Sequence, residues 1–203
     1  MIVYLERPTC CGKSTLAKIL SSSGVLPGIS VSVVAQSLVT GYDEVTQRRH
    51  MARDEQKCAE AKNRPGDQLI LVDRSFISTV VYNLTRAEVA AKYDPTPILT
   101  WWLRGLGSTL IRPDAYMYFE ADLDACVTRA NSIRDASVHN LWTREARRIS
   151  DWYDILFRGV ESSVMVLRLD ARGNIATVVE RAVSMLAEAV CVFRAGASGA
   201  CHG

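Results

Sequence analysis

The sequence predicts an α/β fold, a parallel sheet with helices on both faces. Three observations carry that prediction. Short apolar runs alternate with helical stretches along the chain, as connections between parallel strands require. The first run, Met1-Ile-Val-Tyr-Leu5, leads directly into a Gly-Lys-Ser-Thr loop. The third, Leu69-Ile-Leu-Val-Asp73, ends in a carboxylate, and the C-terminal ends of parallel strands form the ligand crevice of such sheets.

Each element has a local reason. Ile2–Leu5 is short, apolar and β-rich, so it reads as a buried strand. Leu16, Ala17, Ile19 and Leu20 recur at helical spacing and predict a helix over 13–22. A strand over Val31–Val34 is followed by a helix over 43–63, and Pro65-Gly66-Asp67 turns the chain into a strand over Leu69–Val72. Helices over 78–92 and 97–109 lead to a strand over Ala115–Phe119. Helices over 123–130 and 141–158 precede a strand over Val164–Leu169 and a last helix over 175–192. The small, Gly/Ala-rich residues 194–203 read as a flexible tail, leaving 1–193 as one domain.

Bulk properties narrow the function. The chain has 203 residues, enough for one domain with a substantial core, and 48% of them are hydrophobic. A net charge of +2 gives no case for a nucleic-acid coat or a polybasic membrane anchor. The six cysteines show neither C-x-x-C pairs nor zinc-finger spacing, so they read as reduced thiols of a cytoplasmic protein. No apolar stretch approaches the length of a membrane span, and a signal peptide is not expected.

Residues 8–15, Pro8-Thr-Cys-Cys-Gly-Lys-Ser-Thr15, contain most of a phosphate-binding P-loop between a strand and a helix. That junction brings unpaired backbone N–H groups and the positive end of a helix dipole to one point, which a polyphosphate satisfies. Pro8, Thr9, Cys10, Cys11, Gly12, Lys13, Ser14 and Thr15 are therefore the candidate ATP-binding segment. Lys13 would reach the β- and γ-phosphates, and the Ser14 hydroxyl would hold Mg²⁺. Arg7 occupies the first glycine position of the pattern, where glycine normally lets the chain leave the strand tightly. We expect its side chain to leave the loop toward solvent or a neighbouring acid. Asp73 is placed to face the metal beside Ser14, and Arg74 to hold an acceptor phosphate; an Asp-Arg pair at a strand end also serves as a helix cap with a surface charge.

Leu69 to Asn83, LILVDRSFISTVVYN, resembles the Asp-Arg segment of thymidylate kinases. Trp101-Trp-Leu-Arg104, Arg112-Pro-Asp114 with its following strand, Asp122 to Arg129, and Leu169-Asp170 continue the likeness in order along nearly the whole chain. Deoxynucleoside kinases share much of this layout, including a Glu just before the P-loop, here Glu6. The resemblance implies a three-layer P-loop NTPase fold with a five-stranded parallel sheet and an arginine-bearing lid at about 129–148. It implies an ATP- and Mg²⁺-dependent kinase that transfers the γ-phosphoryl group to a nucleoside monophosphate or similar small acceptor. Arg53 and Asn83 would bind the acceptor, Arg74 its phosphate or sugar end, and Arg129 and Arg134, then Arg148, would close over the phosphates. Cations that close over a phosphoryl group in transfer stabilise its equatorial charge and exclude water.

Thr9 stands where thymidylate kinases often carry an acid, and Asn83 where they often carry glutamine. Both departures leave the acceptor open. A hydroxyl acceptor (a nucleoside, a nucleoside-like natural product or a hydroxymethylated base in DNA) would need a base, for which Glu6 and Asp73 compete; DNA is disfavoured by the charge balance. A non-catalytic nucleotide-binding regulator is the alternative of another class. A homodimer is implied by resemblance only.

Overall fold

Five strands form one parallel sheet in a computed structural model that describes residues 1–7, 9–22, 24–35, 44–133 and 141–199. In chain order they are β1 (Ile2–Glu6), β2 (Val31–Val34), β3 (Leu69–Asp73), β4 (Ala115–Glu120) and β5 (Met165–Asp170). Their spatial order, β2-β3-β1-β4-β5, puts the predicted first strand at the centre. The three strands β3, β1 and β4 are almost wholly buried, which explains why their sequences are continuous apolar runs rather than alternating ones. Register aligns their upper ends: Leu5 pairs with Asp73 on one side, and Glu6 pairs with Tyr118 on the other.

The helices are α1 (Lys13–Ser22), α2 (Glu44–Lys62), α3 (Phe76–Val89), α4 (Thr96–Gly105), α5 (Leu123–Ile133), α6 (Leu141–Arg144), α7 (Ala146–Val160) and α8 (Ile175–Gly199). The expected three-layer α/β architecture is thus present, and every predicted strand is found.

Several helix boundaries differ from expectation, three of them for identifiable reasons. α3 starts at Phe76 rather than Ser78, because the Ser75 hydroxyl caps it by accepting from the Ile77 N–H at 3.0 Å. α4 stops at Gly105 rather than Thr109. Leu110 folds back so closely that a Cβ at Gly105 would lie 2.8 Å from its side chain, and the Leu110 N–H donates to the Gly105 carbonyl at 2.9 Å. The single helix expected over 141–158 is broken at Glu145, whose φ and ψ of −117° and 27° are not helical; the bend lets Trp142 and the Ile149, Tyr153 and Phe157 face of α7 be buried together. α8 runs on to Gly199, so residues 194–199, which composition favours as tail, are helical.

On the face of the sheet covered by α7, an aromatic cluster fills the core. Phe157 meets Tyr116 edge-on at 5.2 Å and Tyr118 at 4.7 Å, and Tyr116 meets Tyr4 at 5.8 Å. Phe157 is fully buried. Phe157→Ala is expected to cost about 3–5 kcal/mol, the range for an aromatic deletion in a packed core; urea unfolding of the variant measures it.

Candidate functional site

The site grows from the end of β1. After Glu6 three described residues ahead of the next helix take positive φ: Arg7, Cys10 and Gly12 have φ of 144°, 65° and 97°. Such a run makes an anion-facing concavity at the start of a helix. α1 begins immediately, with the Leu16 N–H donating to the Gly12 carbonyl at 2.9 Å, and it carries no acid in its first turn to offset its dipole. Ser14 and Thr15 are exposed at this end, whereas Thr9, Cys11 and Lys13 are buried. The Lys13 ammonium folds into the loop, donating to the Arg7 carbonyl at 2.7 Å and lying 3.3 Å from Cys11 Sγ. Pro8 lies outside the described residues.

At Arg7 the φ of 144° is one that side chains avoid, at a typical cost of about 1–3 kcal/mol. Its side chain does leave the loop, toward an open cavity that Glu120 and Asp154 also line, and makes no ion pair with either. The guanidinium lies 5.1 Å from the Tyr118 ring centre, and Nη2 donates to Ser150 Oγ at 3.1 Å. The loop itself is formed around the missing glycine.

β3 brings the second group. The Ser14 hydroxyl donates to Asp73 Oδ2, so the two predicted metal-side residues meet across the ends of neighbouring strands. Together they fit Mg²⁺, which takes hard oxygen ligands, usually one or two from protein with the rest from water and phosphate. Among the described residues no group of three or more His, Cys, Asp or Glu could hold a metal.

Arg74 follows in a left-handed turn with φ 64°. Its Nη2 donates to Thr9 Oγ1 at 3.0 Å, and Thr9 Oγ1 also lies 3.0 Å from the Tyr82 hydroxyl. Burial works against its charge, but the acidic groups of Tyr82, Tyr153, Asp73 and Glu6 outweigh that and hold its pKa above the ordinary arginine value. The guanidinium therefore stays cationic beside the phosphate loop.

Glu6 is fully buried and heavily solvated by protein. Its Oε1 accepts from the Ser75 N–H at 2.6 Å and the Ser75 hydroxyl at 2.5 Å; its Oε2 accepts from the Ser78 hydroxyl at 2.8 Å and the Tyr153 hydroxyl at 3.3 Å. This carboxylate fixes the start of α3 against β1 and α7.

The acceptor-side candidates stand on α2 and α3. Arg53 is buried and bonds Asp54 Oδ1 through Nε at 3.2 Å and Nη2 at 3.0 Å. Asn83 is buried; its Nδ2 donates to the Thr79 carbonyl at 2.7 Å, and its Oδ1 accepts from Gln47 and from the Tyr93 hydroxyl. Of the lid candidates, Arg129 is exposed and its Nη1 donates to the Cys10 carbonyl at 3.4 Å, so it does reach the phosphate loop. Arg148 is exposed and pairs with Glu145 at 3.0 Å and Glu88 at 3.6 Å. Arg134 lies outside the described residues, as do residues 135–140 of the lid segment.

Hydrophobic pattern reading misses Asp54, Lys57, Ser78 and Tyr153. Asp54 and Lys57 are buried and paired at 3.2 Å, and the Thr79 hydroxyl donates to Asp54 at 2.5 Å. Lys57 Nζ also donates to the Arg74 carbonyl at 2.7 Å and the Asp73 carbonyl at 3.4 Å. Burial pulls the Lys57 pKa below its ordinary value, with Asp54 opposing. The signal was available: Thr46, Arg53, Asp54, Lys57 and Ala61 recur at helical spacing, giving α2 a buried face that is polar. Lys57→Met should destabilise the fold by about 1–3 kcal/mol, because it removes the donor to the Arg74 and Asp73 carbonyls while Asp54 keeps Arg53 as its partner; chemical denaturation checks the size.

No protein-family model matches the sequence, and no curated protein matches it. The fold has known counterparts. The chain is similar to deoxyadenosine kinase from M. mycoides with bound dATP at a TM-score of 0.71 and 13% identity, over 92% of this chain and 99% of that one. The same enzyme with dCMP and dCDP bound gives 0.70 and 14%, over 92% and 98%. Thymidylate kinase from Candida albicans gives 0.61 and 15%, over 95% and 92%. At these identities the likeness establishes the fold alone, the three-layer α/β arrangement shared with those proteins. No helix among the described residues is long and apolar enough to cross a membrane.

Proposed function

We propose that this protein is an ATP- and Mg²⁺-dependent kinase that transfers the γ-phosphoryl group to a nucleoside monophosphate or a closely similar small acceptor. The observation that carries the reading is the meeting of Ser14 and Asp73 beside Lys13, in an anion-facing loop at the N-terminus of α1. Bound Mg²⁺, held by Ser14 and Asp73, would neutralise charge on the transferred phosphoryl group.

The chain's own residues supply the remaining functions. The loop N–H groups and the α1 dipole hold the donor phosphates. Lys13 exchanges the Arg7 carbonyl for phosphate oxygens. Arg74, kept cationic and tied to Thr9, holds the acceptor's phosphate in line with the donor. Arg129, already against the loop at Cys10, adds charge from the lid side. Gln47, Asn83 and Tyr93 offer amide and hydroxyl groups for the acceptor's base.

The state of Glu6 favours a phosphate acceptor. A hydroxyl acceptor needs a base, and Glu6 is closed in by donors from Ser75, Ser78 and Tyr153 while Asp73 accepts from Ser14. An ionised phosphate acceptor needs none. The hydroxyl reading draws support from the structural likeness to a nucleoside kinase, and would assign the proton to Asp73.

Incubation with ATP and Mg²⁺ against nucleoside monophosphates, free nucleosides and hydroxymethylated DNA, read by mass spectrometry, tests this. A phosphorylated monophosphate is the expected product. A product only from a hydroxyl acceptor would overturn the acceptor assignment, and silence across the panel with ATP still bound would favour a non-catalytic regulator. Lys13→Ala is expected to abolish transfer with the far-UV spectrum unchanged; undiminished turnover would remove the P-loop assignment.

Arg7→Gly is expected to leave ATP affinity within a few-fold of the parent, because the loop is already formed around Arg7. Isothermal titration measures it, and a many-fold gain would mean that Arg7 distorts the loop.

A further inference from the structure

Beside the phosphate loop, on the α7 side of β4 and β5, lies an open cavity of about 410 Å³. From the loop it takes Arg7 and none of residues 9–15. Three more arginines, Arg158, Arg168 and Arg172, converge on it from α7, β5 and the turn after β5, against two acids, Glu120 and Asp154. Both acids are already engaged: Glu120 pairs with Arg168 at 3.2 Å, and Asp154 accepts from the Tyr118 hydroxyl at 2.5 Å. Tyr118 forms a wall, with the Arg7 and Arg168 guanidiniums 5.1 and 5.2 Å from its ring centre.

The cationic side is only partly paired: Arg168 also pairs with Glu161 at 2.5 Å, and Arg172 pairs through Nε with Asp170 at 2.7 Å. Arg158 is exposed and has no ion pair or hydrogen bond among the described residues. Arg7 Nε is buried with no hydrogen-bond partner. Leaving a buried donor on a charged group unpaired is unfavourable, so an acceptor that draws the guanidinium a short way into the cavity improves its position. The volume is that of a small-molecule site.

We propose that this cavity is a second anion site, distinct from the phosphate loop, which binds a small organic phosphate through Arg158, Arg7 and Arg172. The proposal does not rest on the kinase reading: the site needs neither Lys13 nor Mg²⁺.

Inorganic pyrophosphate without metal is the probe, and isothermal titration of the Lys13→Ala protein the measurement, since that variant weakens the loop as a competing site. Saturable binding is expected, falling as salt rises. Arg158→Glu in the Lys13→Ala background should weaken it at least about ten-fold, the scale of one charge-assisted hydrogen bond. Arg104→Glu, a reversal at an exposed arginine outside the cavity, should leave it unchanged. Arg172→Glu repeats the test from a different element should Arg158→Glu fail to fold, as judged by its far-UV spectrum. No saturable binding to the Lys13→Ala protein, or equal effects of Arg158→Glu and Arg104→Glu, would overturn the proposal.

Discussion

A buried carboxylate at the end of the central strand holds the site's parts in place. Glu6 sits on β1, yet its four hydrogen bonds run to Ser75 and Ser78 at the start of α3 and to Tyr153 on α7. A carboxyl group buried in this position is tolerable only because both oxygens are satisfied by donors. The same bonds fix where α3 begins, and therefore where Asp73 and Arg74 leave β3. Because Glu6 also directly precedes the loop that leads into α1, one side chain sets the separation between that loop and the turn at Arg74.

The second constraint is the polar buried face of α2. Lys57 donates to the carbonyls of Asp73 and Arg74, and it shares the Asp54 carboxylate with Arg53. Those carbonyls belong to the left-handed turn at Arg74, a conformation that arginine does not take freely. The ammonium holds that turn, which aims the Arg74 guanidinium at Thr9 and leaves the Asp73 carboxylate with Ser14. A helix that would ordinarily contribute apolar packing here contributes the orientation of two candidate site residues.

Arg7 shows how a loop accommodates a residue at a position that favours glycine. The backbone keeps a positive φ, and the cost is offset by stacking on Tyr118 and a hydrogen bond to Ser150. The loop's remaining residues are free to form the anion-facing turn, and the displaced side chain becomes part of a neighbouring arginine-lined cavity.

The sequence by itself determined the order and type of the elements, because these follow from local pattern: buried parallel strands are continuous apolar runs, and helices show 3.6-residue spacing. It also placed Gly12-Lys13-Ser14 between a strand and a helix, the local arrangement on which the proposed phosphate-loop role rests. The pairing of Ser14 with Asp73 was legible too, because strand ends in a parallel sheet share one edge. Only the tertiary structure decided that Glu6 is a buried strut, that Asp54 and Lys57 support the Arg74 turn, and that Arg7 turns to Tyr118 and Ser150. Each of those contacts joins residues far apart in the chain. A charged residue's role depends on which partner reaches it, and local periodicity carries no information about that partner.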